Sequence, residues 1–414
     1  MTAKHPDNRC VNIDWLEVYC LESRKYFPCN ADFFRDRGYH VRERDYGTRQ
    51  YNEMFTIEDE YGNAWIEIRR NPASGASSFC GFVPESCHVR LANRACYEDN
   101  AVAKFRDFLA KYDYIFKRIF RVDICHDFEF FDSGERPRKF VRRYINNRYT
   151  KINQCNIAAY GKDNWATFDW QTLSWGSHTS MVSTKLYCKS AEIESVSKHK
   201  TYIPYVWFLH GLIGDPVSLQ KVSSDGTRYK PEIWRVEFSL KSSADNWIVI
   251  EDHSGKRQKM RAVPHRLEMF DSKDKLWQRF EDLAYHYFHF KVYEMGKRKD
   301  RCKDKILYKF NEGRKFLQVG ALPQESKPDT EDERLRRKLV CYSQLHSNPD
   351  VRTACDAIIK YIDANATRRF TPRNLYIEAR AMQEAIAARL AGDKRSALEI
   401  MQEIKYLLEN DLIF

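Results

Sequence analysis

The chain has 414 residues, 43% apolar and 14% aromatic, a make-up that supports a folded protein of two domains and argues against disorder. Its net charge of +11 and pI near 8.9 favour a polyanionic partner, of which nucleic acid is the commonest soluble kind. No apolar run is long enough to span a membrane, Met1 to Asn12 is polar, and the twelve cysteines include no CxxC pair, so they read as buried free thiols in a reducing cytoplasm.

In chain order, Val11 to Cys20 reads as a strand. Met54 to Arg70 reads as a hairpin turning at Tyr61-Gly62-Asn63. Tyr97 to Lys117 places Val102, Phe105, Phe108, Leu109 and Tyr112 at helical spacing, an amphipathic helix leading into the segment Arg121 to Phe128. That segment alternates polar and apolar residues with period two, as do Lys185 to Lys189 and Trp234 to Phe238. Gly134 to Lys151 is strongly basic and helical in part. Two or three further strands lie between Gln154 and Lys189, with a turn at Gly176-Ser177. Helices over Tyr202 to Leu212 and Lys273 to Phe290 flank a strand from Glu232 to Lys241. The apolar stretch Tyr202 to Gly214 is too short to span a bilayer and contains His210, so it is expected in the core.

Strands that cluster without βαβ alternation define an α+β fold with a mainly antiparallel central sheet flanked by helices. Residues 319–333, rich in Pro, Ser and acidic residues, have linker composition. They separate an α+β domain (residues 1–318) from a small all-helical module (334–414). In that module Thr371 and Pro372 start one helix, Asp393 after Gly392 starts another, and Leu375, Ile377, Ala381, Ala385 and Leu390 form an apolar stripe.

The three alternating strands carry the chemistry. Their apolar faces hold Val122, Ile124 and Phe128, then Leu186, then Trp234, Val236 and Phe238; the other faces hold Asp123 and Asp127, then Lys185, Tyr187 and Lys189, then Arg235 and Glu237. If the strands share a sheet, acids, cations and one tyrosine meet on one surface, a set suited to metal-assisted chemistry on a phosphate. A phenol is ionised only slightly at neutral pH. Lys185 and Lys189, each about 7 Å along the strand from Tyr187, are expected to lower its pKa or to hold the phosphate. Asp123 and Glu237 interrupt apolar strands, where a carboxylate is costly unless it is paired or binds a cation; hard oxygen ligands suit Mg²⁺ or Mn²⁺. Asp127 lies about 13 Å from Asp123 along an extended strand, too far to share an ion with it, and is left as a supporting residue or base. The competing reading is structural: an Asp123–Arg235 or Glu237–Arg121 ion pair on an exposed face.

Two basic runs are interleaved with aromatics and read as a nucleic-acid surface, cations tracking phosphates and rings stacking on bases. One contains Arg138, Lys139, Arg142, Arg143 and Arg148 with Phe140, Tyr144 and Tyr149; the other contains Lys297, Arg298 and Lys299 with Tyr308. His286 and His289 have no acid or cysteine at matching spacing and read as ordinary core or surface residues. No His-hydrophobic-His triplet and no phosphate-cradling glycine loop occurs.

Five segments in order resemble the replication initiator family of rolling-circle plasmids and mobile elements, which includes conjugative relaxases. They are Val11-Asn12-Ile13-Asp14-Trp15-Leu16, Arg121-Val122-Asp123 with Asp127, Ser174-Trp175-Gly176-Ser177, Lys185 to Glu192, and Trp234-Arg235-Val236-Glu237. The resemblance covers about residues 11–310 and implies an HUH-endonuclease-like core that lacks the His-hydrophobic-His motif. It further implies that Tyr187 attacks a phosphodiester of supercoiled or single-stranded origin DNA, stays on the 5′ phosphate and releases a 3′ hydroxyl for a host polymerase. Mg²⁺ or Mn²⁺ on Asp123 and Glu237, with Glu192 a further candidate ligand, is expected to polarise the phosphate, and Lys189 or Arg235 to stabilise its charge. Cys188 and His126 depart from the family pattern. The helical module is open to three readings: DNA binding, dimerisation, or helicase recruitment. A relaxase that starts conjugative transfer and a non-catalytic DNA-binding regulator on the same fold are the alternatives.

Overall fold

The computed structural model describes residues 9–323, except 45–46, 75–80, 153–156, 165–166, 177–179, 242–245, 253–257, 265, 299–300, 310–318 and 320. Beyond them it describes 339, 349–364, 381, 384–385, 387–388, 391–396 and 399–404. The chain divides into two compact units, Met1–Ser326 and Lys327–Phe414.

The first unit opens with β1 (Cys10–Leu21), α1 (Ala31–Arg35), β2 (His40–Glu43), β3 (Tyr51–Glu58), β4 (Ala64–Pro72) and β5 (Ser86–Leu91). Then come α2 (Asn93–Cys96), α3 (Ala101–Lys111), β6 (Ile115–Phe128), α4 (Pro137–Ile145), β7 (Tyr149–Lys151), β8 (Ile157–Asn164), β9 (Thr167–Trp175) and β10 (Val182–Cys188). They are followed by α5 (Lys189–Ser195), α6 (Tyr202–Leu209), β11 (Lys221–Val222), β12 (Arg228–Tyr229), β13 (Trp234–Lys241), β14 (Asn246–Asp252), β15 (Gln258–Pro264), α7 (Lys273–Tyr287), β16 (Phe290–Val292) and β17 (Asp304–Lys305). Ten strands form one sheet in the order β2-β3-β4-β5-β1-β6-β13-β10-β9-β8, antiparallel at every junction. The fold is α+β with a large antiparallel sheet, as the uneven strand spacing predicts.

Alternation in the central strands sorts the side chains cleanly. Leu16 and Val18 of β1, Val122 and Ile124 of β6, Val236 and Phe238 of β13 and Leu186 of β10 are all buried in one core. Helices cover that face: Phe280 of α7 meets Phe238 at 5.3 Å, and Phe108 of α3 meets Phe34 at 5.9 Å. Helix α3 stops at Lys111, six residues before the sequence reading ends it, because Ile115 already pairs with Leu21 in the sheet. His126 sits on this apolar face, stacked on Phe128 at 5.1 Å and edge-on to Trp277, so it does not neighbour the aspartates.

Val319 and Leu322 are buried in the same core, and Arg94 donates to the carbonyls of Leu322 and Pro323. The segment read as the start of a linker is therefore packed structure. In the second unit, α8 (Pro349–Ala364) contributes Val351, Cys355 and Ile358 to a separate small core with Ala381, Ala385, Ile400 and Met401. The predicted helix start at Thr371-Pro372 and the stripe positions Leu375, Ile377 and Leu390 lie outside the described residues. The cysteines among the described residues are free and buried. No helix among the described residues is long and apolar enough to cross a membrane.

Candidate active site

The second face of the central strands is polar, and register fixes who meets whom. Asp127 of β6, Arg235 of β13 and Tyr187 of β10 form one row across three strands; Cys125, Glu237 and Lys185 form the next; Asp123, Ser239 and Ser183 form the third. The three segments singled out in the sequence thus share one face of one sheet.

β1 completes the grid through a bulge. Its pairing with β6 runs Ile13 to Ile124 and then Trp15 to Asp123, leaving Asp14 as the extra residue. A bulge bends the strand and re-aims a side chain. Here it turns the Asp14 carboxylate over the grid, where Oδ1 accepts from Arg235 Nη1 at 2.9 Å and from the Tyr97 hydroxyl at 2.7 Å. Burial pushes the Asp14 carboxyl up, but Arg235, with Lys189 and Lys200, more than offsets this and holds it below the ordinary aspartate range.

Arg235 is fully buried, and its guanidinium is committed. Nε and Nη2 grip Asp127 at 2.6 and 2.7 Å, Nη2 also donates to the Tyr97 hydroxyl at 2.8 Å, and Nη1 holds Asp14. Trp207 of α6 adds a third hydrogen bond to Asp127, to Oδ2 at 2.8 Å. The expectation that Arg235 stabilises phosphate charge and that Asp127 serves an ion or acts as a base is corrected. Both are buried and spent on each other inside a charge network that also takes in Asp14 and Tyr97. The expected ion pairs are also re-partnered: Arg121 chelates its own strand neighbour Asp123 through Nε (2.9 Å) and Nη2, and Ser239 donates to Asp123 Oδ1 at 2.5 Å.

Tyr187 is half-buried and its hydroxyl donates to Glu237 Oε2 at 2.8 Å. Lys185 Nζ stands 3.8 Å from the other Glu237 oxygen. Burial and the Glu237 charge push the phenol well above its ordinary pKa, Arg235 opposing them. The sequence expectation of a phenol lowered by flanking lysines is thereby reversed. Lys189 is not the strand neighbour that alternation implied. β10 ends at Cys188, and Lys189 opens α5, buried and clamped by both oxygens of Glu192 at 3.0 and 2.8 Å, its ammonium 5.5 Å from the Tyr187 ring centre. Glu192 also accepts from Ser197 at 2.9 Å, so its carboxylate holds both Lys189 and Ser197.

Glu237 is the odd group. Burial raises its carboxyl pKa, and the neighbouring charges of Asp123 and Asp14 raise it further, with Lys185 and Arg235 opposing. A set of acids that raise one another's pKa is what a cation relieves. Among the described residues no three His, Cys, Asp or Glu side chains converge as a ready-made ion site. Mg²⁺ is usually held by one or two carboxylates plus substrate phosphates, so three converging protein ligands are not a chemical requirement. A cavity of about 850 Å³ opens beside this corner, lined by Tyr187, Lys185, Arg121, Ser239, Ser174 and Glu192 among others. Lys185, Arg121 and Lys241 are its part-exposed cations.

The predicted DNA-binding residues that are described fall on two segments that the β7–β16 pairing brings together. Arg138, Lys139, Arg142 and Arg143 lie on α4, whose other side buries Phe140 and Val141. Arg148 follows, and β7 pairs with β16, so the second basic run lies against the first although about 140 residues separate them in sequence. Tyr293 N donates to the Arg148 carbonyl at 2.9 Å. Lys297 pairs with Glu294 and Arg298 is exposed; Lys299 lies outside the described residues. His289 pairs with Asp304 at 2.9 Å and shares no ligand with His286.

Sequence reasoning missed Asp14, Tyr97, Trp207 and Ser239 as members of the site. Asp14 left a signal: Ile13 and Leu16 are both core residues three apart, a spacing that a period-two strand allows only with one extra residue. Ser239 left one too, two residues beyond Glu237 on the same strand face, whereas Tyr97 and Trp207 are set by tertiary approach and leave none.

No protein-family model matches the sequence, and no curated protein matches it. Among solved structures the chain is similar to a rolling circle replication initiator protein from Geobacillus stearothermophilus, with a TM-score of 0.42 at 12% identity, over 72% of this chain and 92% of that one.

Proposed function

We propose that the protein is a tyrosine-dependent DNA nickase that starts rolling-circle replication, with Tyr187 as nucleophile and Glu237 as its base. The observation that carries this reading is the 2.8 Å hydrogen bond from the Tyr187 hydroxyl to a buried carboxylate of raised pKa, with Tyr187 itself lining a cavity that Lys185, Arg121 and Lys241 also line. A nucleophile in hydrogen-bond reach of its base, with that base tuned toward neutrality, is the arrangement that proton abstraction requires. The replication setting rests on the five ordered segments that resemble initiators.

In the reaction Glu237 takes the phenol proton as Tyr187 Oη bonds to phosphorus. The P–O3′ bond breaks, the 3′ oxygen leaves as a hydroxyl with a proton from solvent, and the 5′ phosphate stays on the tyrosine. Lys185 and Arg121 hold the phosphate oxygens and oppose their growing charge. The Asp127–Arg235–Asp14 network ties β13 to β6 and β1, and the backbone pairing of β10 on β13 brings Tyr187 within reach of Glu237. Mg²⁺ or Mn²⁺ held by Asp123 and Glu237 would polarise the phosphate, Asp123 binding it in exchange for Arg121. The test is to incubate the protein with supercoiled DNA of its own element and Mn²⁺, then look for a protease-sensitive adduct on a nicked strand. Tyr187→Phe is expected to abolish the adduct and retain DNA binding; a mutant that still forms it refutes the assignment.

A further inference from the structure

A hollow of about 590 Å³ lies at the end of β13 and β6, separate from the cavity that holds Tyr187. One wall is the N-terminal half of α4, with Arg136, Lys139 and Arg142; the other is the segment Tyr229 to Trp234, with Phe130 at the base. Arg138 spans the two walls, bound to both oxygens of Glu232 at 2.9 and 2.6 Å, and so fixes their separation. Arg136, Lys139 and Arg142 are exposed, stand three residues apart along one side of α4, and make no ion pair with any described residue. Arg136 stacks over the Phe130 ring at 5.4 Å, and the Tyr229 ring is 37% exposed.

Exposed cations beside an aromatic and proline-lined floor form a surface for a strand whose bases are unpaired: cations take the backbone, rings take a base face. A duplex offers only phosphates to such a hollow, because its bases are stacked on each other. The position is informative as well. Trp234 lines the hollow and pairs in register with Cys188, the residue that follows Tyr187. A strand held at Tyr187 therefore reaches the hollow by passing round the end of the sheet.

We propose that this hollow binds an unpaired nucleotide of single-stranded DNA flanking the cleaved phosphate. The proposal deepens the nickase reading but is tested without cleavage. Fluorescein-labelled dT12 is titrated with the full chain in EDTA, by fluorescence anisotropy, at several salt concentrations. The variant Arg136→Ala/Lys139→Ala/Arg142→Ala is expected to bind more than tenfold weaker, with a log–log salt slope shallower by about two, as three lost phosphate contacts require. An equal loss of charge elsewhere, Lys104→Ala/Lys111→Ala/Lys117→Ala, is expected to change binding less than twofold. Tyr229→Ala is expected to weaken dT12 at least fivefold and an abasic 12-mer hardly at all. All substituted side chains are exposed, and circular dichroism checks that each variant folds. Equal binding by the two triple variants overturns the proposal, and so does wild-type binding of the dT12·dA12 duplex as tight as that of dT12. Tyr187→Phe leaves every one of these measurements unchanged. Failure of the nickase reading would therefore show as a missing adduct with the binding pattern intact.

Discussion

Glu237 faces a hydroxyl, an ammonium and two other carboxylates, and its protonation decides what the corner can do. Its carboxyl is raised by burial and by Asp123 and Asp14, so the proton-accepting form accumulates only as pH climbs past the ordinary glutamate range of about 4.3. Adduct formation should therefore rise with pH along a limb displaced above that value. Glu237→Gln removes the acceptor: the limb should vanish and the rate fall by about 10²- to 10⁴-fold, read from nicking rates across pH. An unchanged limb in that variant would assign the titration to another group. Asp123→Asn should raise the Mn²⁺ concentration needed for half-maximal nicking, because it deletes one of two proposed oxygen ligands; an unaltered Mn²⁺ dependence refutes the ion assignment. Glu237→Gln alters the group that Tyr187 bonds and Asp123→Asn does not, so a changed Mn²⁺ dependence with the pH limb retained in Asp123→Asn separates the ion from the base.

At the scale of elements, the bulge in β1 turns a strand into part of the site. Asp14 is held ionised below the ordinary aspartate range by Arg235 with Lys189 and Lys200, against the cost of burial. The sign follows from linkage. A depressed folded pKa means the unfolded chain takes up the proton first as pH falls, so the stabilisation is complete above about pH 4 and drains away through the folded value. Asp14→Asn should cost about 2 kcal/mol at pH 7, the worth of a hydrogen bond to a charged group, and the gap from wild type should narrow below pH 4. Urea unfolding at pH 7, 4 and 3 checks this, and a gap independent of pH refutes it.

Much of this element was legible beforehand. Period-two alternation placed Asp123, Glu237 and Tyr187 on one face, because each strand buries an apolar side against the helices. What alternation cannot give is register, which sets Arg235 opposite Asp127 and Ser239 opposite Asp123. It also cannot show where a strand stops, which is why Lys189, the first residue of α5, was assigned to β10. The tryptophan that caps Asp127 comes from α6, 80 residues on, and only tertiary structure brings it there.

On the whole-molecule scale the two units keep separate cores: one spans the ten-stranded sheet, and the other holds Val351, Ile358, Ala381, Ala385 and Ile400 among its residues. The nine tryptophans of the sequence all fall between Trp15 and Trp277, inside the first unit. Tryptophan fluorescence therefore reports that unit alone, whereas far-ultraviolet circular dichroism sees both. Ile358→Asp, which places a charge in the small core, should shift the dichroism transition to lower temperature and leave the fluorescence transition in place. Coincident shifts would show that the units melt as one.

The extra residue in β1 also makes the chain's opening segment tolerant of one particular change in length. Side chains in a strand change sides with every residue removed. Ile13 already pairs with Ile124 and Trp15 with Asp123, so taking out Asp14 would restore plain alternation and leave Val11, Ile13 and Leu16 facing the core. Deleting Asn12 instead would carry Val11 to the opposite face. A shortened chain that lacks Asp14 should therefore keep its fold and lose only what that carboxylate holds, whereas one that lacks Asn12 should lose packing in the core.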